Sequence, residues 1–196
     1  MVYVSGVKSD KQPRQRLTRQ GWIDAAIELL TEAGIGAVSV DRLATSLGVT
    51  RGSFYHHFSD RSDLLRALLE HWAKLWTYDV REQISVLGLD PSTTLLALMR
   101  AIRNNRAADY DAPIRAWALH DPLAREVVGH VDQARLEFIR SQFEALGFEG
   151  LDAENRARLY LHYEMAAPAM FAGPSPEVDE QLLVERHRFL TASHVD

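Results

Sequence analysis

Apolar residues return every three to four positions along most of this chain, and no strand-like alternation interrupts them. That period predicts an all-α protein of about nine helices. Near the start, Ile23, Ala26, Ile27 and Leu30 share one face of a helix over residues 18–33, which Gly34 stops. A second stripe of Val40, Leu43, Ala44 and Leu47 follows Ser39, whose hydroxyl suits an N-cap. Gly48 then stands where the chain must leave that helix, and Thr50 is placed to cap a further helix over residues 51–58. Phe54 and Phe58 would point back to the core. Two short helices joined by a tight turn, over residues 39–58, make a helix-turn-helix.

Downstream, Ser59 or Asp60 caps a long fourth helix whose Leu65, Leu68, Leu69, Trp72 and Trp76 face the body, extending to about Val86 and breaking near Gly88. Asp90-Pro91 opens a segment to about Arg106, because proline fits the first helical turn. Residues 111–120 read as a short piece containing Pro113. Asp121-Pro122 opens a long helix to Leu146, ended by Gly147, with Gly129 inside it as a place where it can bend. Asp152 precedes a helix to about Phe171, and Ser175-Pro176 caps a last one to about Ala192. The expected organisation is a flexible basic arm over residues 1–17, a helix-turn-helix domain over 18–63 and a helical body over 64–196. The arm's basic residues are of the kind that follow a DNA backbone or enter a minor groove.

The outward face of the second short helix carries Arg51, Ser53, Tyr55 and His56. A guanidinium fork, a hydroxyl, a phenol and an imidazole are the groups that reach phosphates and base edges. Residues 18–65, TRQGWIDAAIELLTEAGIGAVSVDRLATSLGVTRGSFYHHFSDRSDLL, resemble the DNA-binding domain of the tetracycline-repressor (TetR) family of bacterial transcriptional regulators. The likeness lies in the helix-ending Gly34, the LATSLGV turn, the TRGSFYHHF helix and the FSDRSDLL entry to the next helix. It implies that Thr50, Arg51, Ser53, Tyr55 and His56 face DNA, with Arg42 and Thr45 beside them. It also implies a phosphate contact from Arg61, which stands where the family commonly has a lysine and replaces a point charge by a planar fork.

A net charge of −5 is unpromising for a DNA binder until it is divided. Through Arg61 the chain holds eight basic and six acidic residues, a net charge of +2, leaving −7 for the remainder. A mildly basic head on an acidic body suits local contact with phosphates, since the nearby field matters more than the total. The absence of cysteine excludes disulfides, thiolate metal sites and thiol redox sensing. With 46% hydrophobic and 25% charged residues the chain can build a core, and no run approaches a membrane span or a signal peptide, so a cytoplasmic protein is expected.

In the body, Trp76, Trp117, His120, Phe138, Phe143, Tyr160 and Tyr163 supply aromatic walls and a few polar handles for a small-molecule effector. Of the last two helices, the first carries Ala166, Ala167 and Met170 on one face with Tyr163, and the second repeats Leu182 and Phe189, with Leu183 and Leu190, at seven-residue spacing. The family likeness implies that such helices pair with their two-fold mates in a four-helix bundle, giving a homodimer on a palindromic double-stranded operator. No phosphate loop, HExxH or nucleophile elbow is present, and the pairs His162/Glu164 and Glu185/His187 diverge on their helices, so neither enzyme activity, cofactor nor metal is expected. The reading is a ligand-released repressor, and an adaptor that has lost DNA binding or an all-α enzyme remain as alternatives.

Overall fold

The computed structural model describes residues 17–105, 107–170 and 176–193, apart from the side chains of 166–170, 176 and 177. The expected arm therefore lies outside the described residues except for Leu17, as do the side chains of Ala166, Ala167 and Met170. Ten α-helical segments follow one another: α1 (Arg19–Ala33), α2 (Val40–Ser46), α3 (Arg51–Phe54), α4 (Arg61–Ala73), α5 (Asp79–Ser85), α6 (Pro91–Asn104), α7 (Ala107–Ala118), α8 (Pro122–Ala145), α9 (Gly150–Met170) and α10 (Pro176–Thr191). Among the described residues there is no strand. A π-helical turn, Lys74–Tyr78, joins α4 to α5 without a break, so the fourth helix is continuous to Ser85 and the helices among the described residues number nine.

The ends form where the side chains can satisfy orphan N–H groups. Thr18 accepts from the Gly21 amide at 3.1 Å, Ser39 from Arg42 at 3.3 Å, Asp90 from Thr93 at 3.1 Å and Asp121 from Ala124 at 3.0 Å. At α4 the cap is reciprocal: Asp60 accepts from the Asp63 amide at 2.9 Å, and Asp63 accepts from the Ser59 amide at 3.0 Å. Gly34 and Gly48, with φ of 74° and 64°, take the left-handed turns that end α1 and α2.

Two apolar clusters hold the chain together. The first joins α1 to α4 with α7 and the start of α8: Trp22, Ile23, Leu43, Phe54, Phe58, Leu68 and Trp72 lie with Ile114, Trp117 and Val131. It crosses the expected domain boundary after residue 63, because α1 packs on α7 as well as on α4. Trp22 meets Phe54 edge-on at 5.3 Å and Phe54 stacks on Phe58 at 5.3 Å. Truncating the fully buried Phe54 to alanine would cost about 3–5 kcal/mol. The second cluster joins α5, α6, the far half of α8, α9 and α10 around Leu95, Met99, Ile139, Phe143 and Tyr160.

Three expected boundaries change. The helix expected over 51–58 is regular only to Phe54; residues 55–57 turn, although the Phe58 amide still donates to the Phe54 carbonyl. The piece expected over 111–120 begins four residues earlier and carries Pro113 in its interior. Proline there removes one backbone bond at a cost of about 3 kcal/mol, which is offset by the burial of Ile114, Trp117 and Ala118 and by the ion pairs of Asp111. Finally, α9 starts at Gly150, before Asp152.

Candidate nucleic-acid interface and effector cavity

The α2–α3 turn positions its polar side chains by burying their neighbours. Leu43, Ala44 and Phe54 are buried, which leaves Arg42, Thr45, Thr50, Arg51, Tyr55 and His56 exposed on the head and Ser53 half-buried. Tyr55 is 57% exposed, its ring edge-on to Phe54 at 5.3 Å, so packing fixes the ring while leaving the phenol outside. Thr45 donates its hydroxyl to the Asp41 carbonyl at 2.8 Å. Thr50 begins α3 without a side-chain cap: the Ser53 amide bonds to the Thr50 carbonyl at 3.0 Å, so the hydroxyl is free for another partner.

Two arginines are already engaged in ways that their positions in the sequence do not reveal. Arg51 pairs with Asp41 of α2 at 2.9 Å, both side chains being more than 60% exposed. Such a pair is worth at most about 1 kcal/mol, so a phosphate or a base edge can displace the carboxylate. Arg61 donates to the Val38 carbonyl at 2.6 Å and to the Ile35 carbonyl at 3.1 Å. It braces the entry of α4 against the turn before α2, a structural job in addition to the phosphate contact expected of it. Arg19, which sequence reasoning passed over, lies above Phe58 at 4.7 Å and near Asp63 at 3.7 Å.

The continuous helix that supports the head also forms one wall of a cavity in the body. Trp76, Thr77, Val80 and Arg81 face it from the π-helical turn and α5, opposite Leu98 and Ile102 of α6, Arg135 and Phe138 of α8, and Leu161 and Met165 of α9. The enclosed space is narrow, about 40 Å³, and it widens to about 560 Å³ only when the open mouth is included. Of the aromatic candidates, Trp76 and Phe138 line it. Trp117 instead fills the first apolar cluster, and Phe143 and Tyr160 fill the second. The Tyr160 hydroxyl donates to the Leu95 carbonyl at 2.8 Å, and burial holds its ionisation well above the ordinary phenol range. His120 is exposed just past α7, and Tyr163 faces outward on α9, 3.8 Å from the Arg186 guanidinium.

Arg135 is the hub that sequence reasoning missed. Nε donates to the Thr77 hydroxyl at 2.9 Å, Nη2 to the Trp76 carbonyl at 3.4 Å, and Nη1 to the buried Asp111 at 3.0 and 3.2 Å. Asp111 also accepts from Arg115, which in turn pairs with Asp132, and these two carboxylates raise the Arg115 ionisation further. No local pattern marks this cluster, since its members come from the π-helical turn, α7 and α8.

The four described dimer candidates divide. Leu183 and Leu190 are buried in the second cluster, whereas Leu182 and Phe189 are 50% and 76% exposed. With Val178 these two make an outward stripe on α10, and Leu151, Leu159 and Tyr163 of α9 are exposed as well. Among the described residues, no group of three or more metal-ligating side chains exists and no helix is long and apolar enough to cross a membrane.

The head is thus that of a helix-turn-helix DNA-binding protein. Residues 23–68 match the family described as bacterial regulatory proteins, tetR family. A regulator from Shigella flexneri, AcrR, is 40% identical over 63 residues, covering 32% of this chain and 29% of its own. BetI from Burkholderia cenocepacia is 27% identical over 130 residues, covering 62% of this chain and 65% of its own. The chain therefore spans less than two thirds of the length of these two relatives. The fold is also that of AibR, solved with isovaleryl coenzyme A and operator DNA, at a TM-score of 0.70 and 17% identity over 90% of this chain and 98% of that one. Over residues 23–68, the chain is thus similar to the N-terminal domain of the TetR family.

Proposed function

We propose that this protein is a homodimeric transcriptional repressor, released from a palindromic operator by a small molecule held in the body cavity. The observation that carries the reading is the single helix over residues 61–85, which begins with Arg61 bonded to the Ile35 and Val38 carbonyls just before α2 and ends as a wall of the cavity. A ligand that displaces Trp76 or Thr77 displaces the support of the head. Arg135 strengthens the link, because one guanidinium both lines the cavity and holds the π-helical turn by its Trp76 carbonyl and Thr77 hydroxyl. Isolated π turns in α-helices recur at functional sites, and this one places the adjustable segment between cavity and head.

On the DNA, α3 enters the major groove; Thr45, Thr50, Tyr55, His56, Arg42 and Arg61 position the domain on phosphates, and Arg51 and Ser53 read base edges. The exposed stripe of Val178, Leu182 and Phe189 on α10 supports pairing through α9 and α10. The pairing sets two recognition helices ~34 to 36 Å apart, one turn of DNA. AibR, of the same fold, was solved with isovaleryl coenzyme A and operator DNA together, which supports a fold able to hold both a small molecule and DNA. To swing a population from 1:99 to 99:1 the effector must prefer the released state by ~5.5 kcal/mol. Selection from a random DNA pool by the purified protein tests the reading. A pseudo-palindrome with half-sites one turn apart is expected; a bound pool with no enriched sequence at low salt overturns it.

A further inference from the structure

The cavity has walls of one character and a rim of another. Its described lining is apolar except for Thr77, Arg81, Asn105 and Arg135, and it contains no carboxylate. Two of those polar groups are occupied with each other, since Arg135 donates to Thr77, and Asp111 neutralises the Arg135 charge from behind the wall. Arg81 is different. It is exposed at the mouth, its guanidinium lies 5.4 Å from the centre of the Phe138 ring, and it has no carboxylate partner among the described residues. Asn105 is also exposed at the rim, its side-chain amide without a hydrogen bond there.

A cation without a counter-ion, held against an aromatic ring at the mouth of an apolar cavity, favours a ligand with an anionic head and an apolar body. A guanidinium fork matches a carboxylate in geometry, and charge-assisted bonds are about twice as strong as neutral ones. Cationic ligands are disfavoured twice, by Arg81 and by the absence of any lining carboxylate. We infer that the effector is an apolar monocarboxylate, its hydrocarbon body among Leu98, Ile102, Phe138 and Leu161 and its carboxylate on Arg81, with the Asn105 amide as a second donor. The assignment rests on reading the cavity as the effector site. It adds the chemical class of ligand and the residue that selects it.

Calorimetric titration of the full chain with octanoate, octanamide and octylamine tests the assignment. Octanoate should bind about tenfold or more tightly than octanamide, the value of a hydrogen bond to a charged group, and octylamine more weakly than either. Arg81→Gln should erase the preference for octanoate over octanamide by weakening octanoate far more than octanamide. Ala134→Trp, which fills the cavity, should abolish binding of both, with helical content checked by circular dichroism. Equal affinity for the acid and the amide, an undiminished preference in Arg81→Gln, binding that survives Ala134→Trp, or no binding of any probe each overturns the assignment. The same titrations with the selected operator present separate the two ideas. Octanoate that binds through Arg81 but leaves operator affinity unchanged refutes release by an effector and leaves the carboxylate site standing.

Discussion

Removing the carboxylate of Asp111 should destabilise this protein more than almost any other single polar change. Asp111 is 1% exposed and Arg135 9% exposed, and their closest contact is 3.0 Å. At that distance, with an effective dielectric of about 20, the attraction is roughly 5 kcal/mol. The cost of desolvating Arg135 remains when its partner is removed, so Asp111→Ala exposes that cost in full. Breaking a buried pair in this way loses about 3–5 kcal/mol. The low end is expected, because Arg135 keeps the Thr77 hydroxyl and Arg115 keeps Asp132. A typical domain has only about 5–15 kcal/mol to lose. The double variant Asp111→Leu/Arg135→Met removes both charges and should be more stable than Asp111→Ala alone. Urea unfolding followed by circular dichroism at one fixed protein concentration measures both. A loss below about 1 kcal/mol for Asp111→Ala, or a double variant no better than the single, would refute the claim that the pair is a desolvated hub.

Three further outcomes follow from particular residues. Gly48 has a φ of 64° and no atom within 4 Å of where a Cβ would sit, so Gly48→Ala should cost only the left-handed strain, about 1–2 kcal/mol by thermal or urea melting; a neutral result would show that the turn relaxes. Burial raises the Glu164 carboxyl against the opposing pull of Arg186, so the folded protein binds this proton more tightly than the unfolded chain. The stability it contributes is complete below the ordinary value of 4.5 and is lost as pH rises through the raised one. Glu164→Gln should therefore gain melting temperature relative to wild type between pH 5 and pH 7, and a pH-independent difference would contradict this. Phe189→Glu places a charge on the exposed α10 stripe, so sedimentation should find a dimer for the wild type and a monomer for the variant; a variant that stays dimeric would move the interface elsewhere.

Local chemistry was legible in the sequence, and long-range assembly was not. Asp60, Asp90 and Asp121 cap their helices as expected because a cap is settled within four residues. The α2–α3 turn follows for the same reason: Gly48, Leu43 and Phe54 specify it locally. The start expected at Asp111 fell four residues late because buried Ala107 and Ala108 extend α7 ahead of Pro113, and that burial is set by packing and not by local propensity. Tyr160 and Phe143 misled because a core stripe and a cavity stripe have the same apolar chemistry. The lining stripe of Leu98, Ala101 and Ile102 on α6, with Asn105 just past its end, has helical spacing, but only packing against α8 and α9 makes it a wall. Leu182 and Leu183 are adjacent, about 100° apart around the helix, and seven-residue spacing does not say which one turns inward. Arg135 could not be found at all, since Thr77, Asp111 and Trp76 are far from it in the chain.

The most direct test of the account is the affinity of the wild type and of Arg51→Ala for the selected pseudo-palindrome and for scrambled DNA, by fluorescence anisotropy over a range of salt. The account predicts that log K falls linearly with log salt for both proteins, and that Arg51→Ala loses about 1–3 kcal/mol on the operator but much less on scrambled DNA. Binding without salt dependence, or an Arg51→Ala variant as selective as the wild type, would contradict the claim that the α2–α3 face reads DNA.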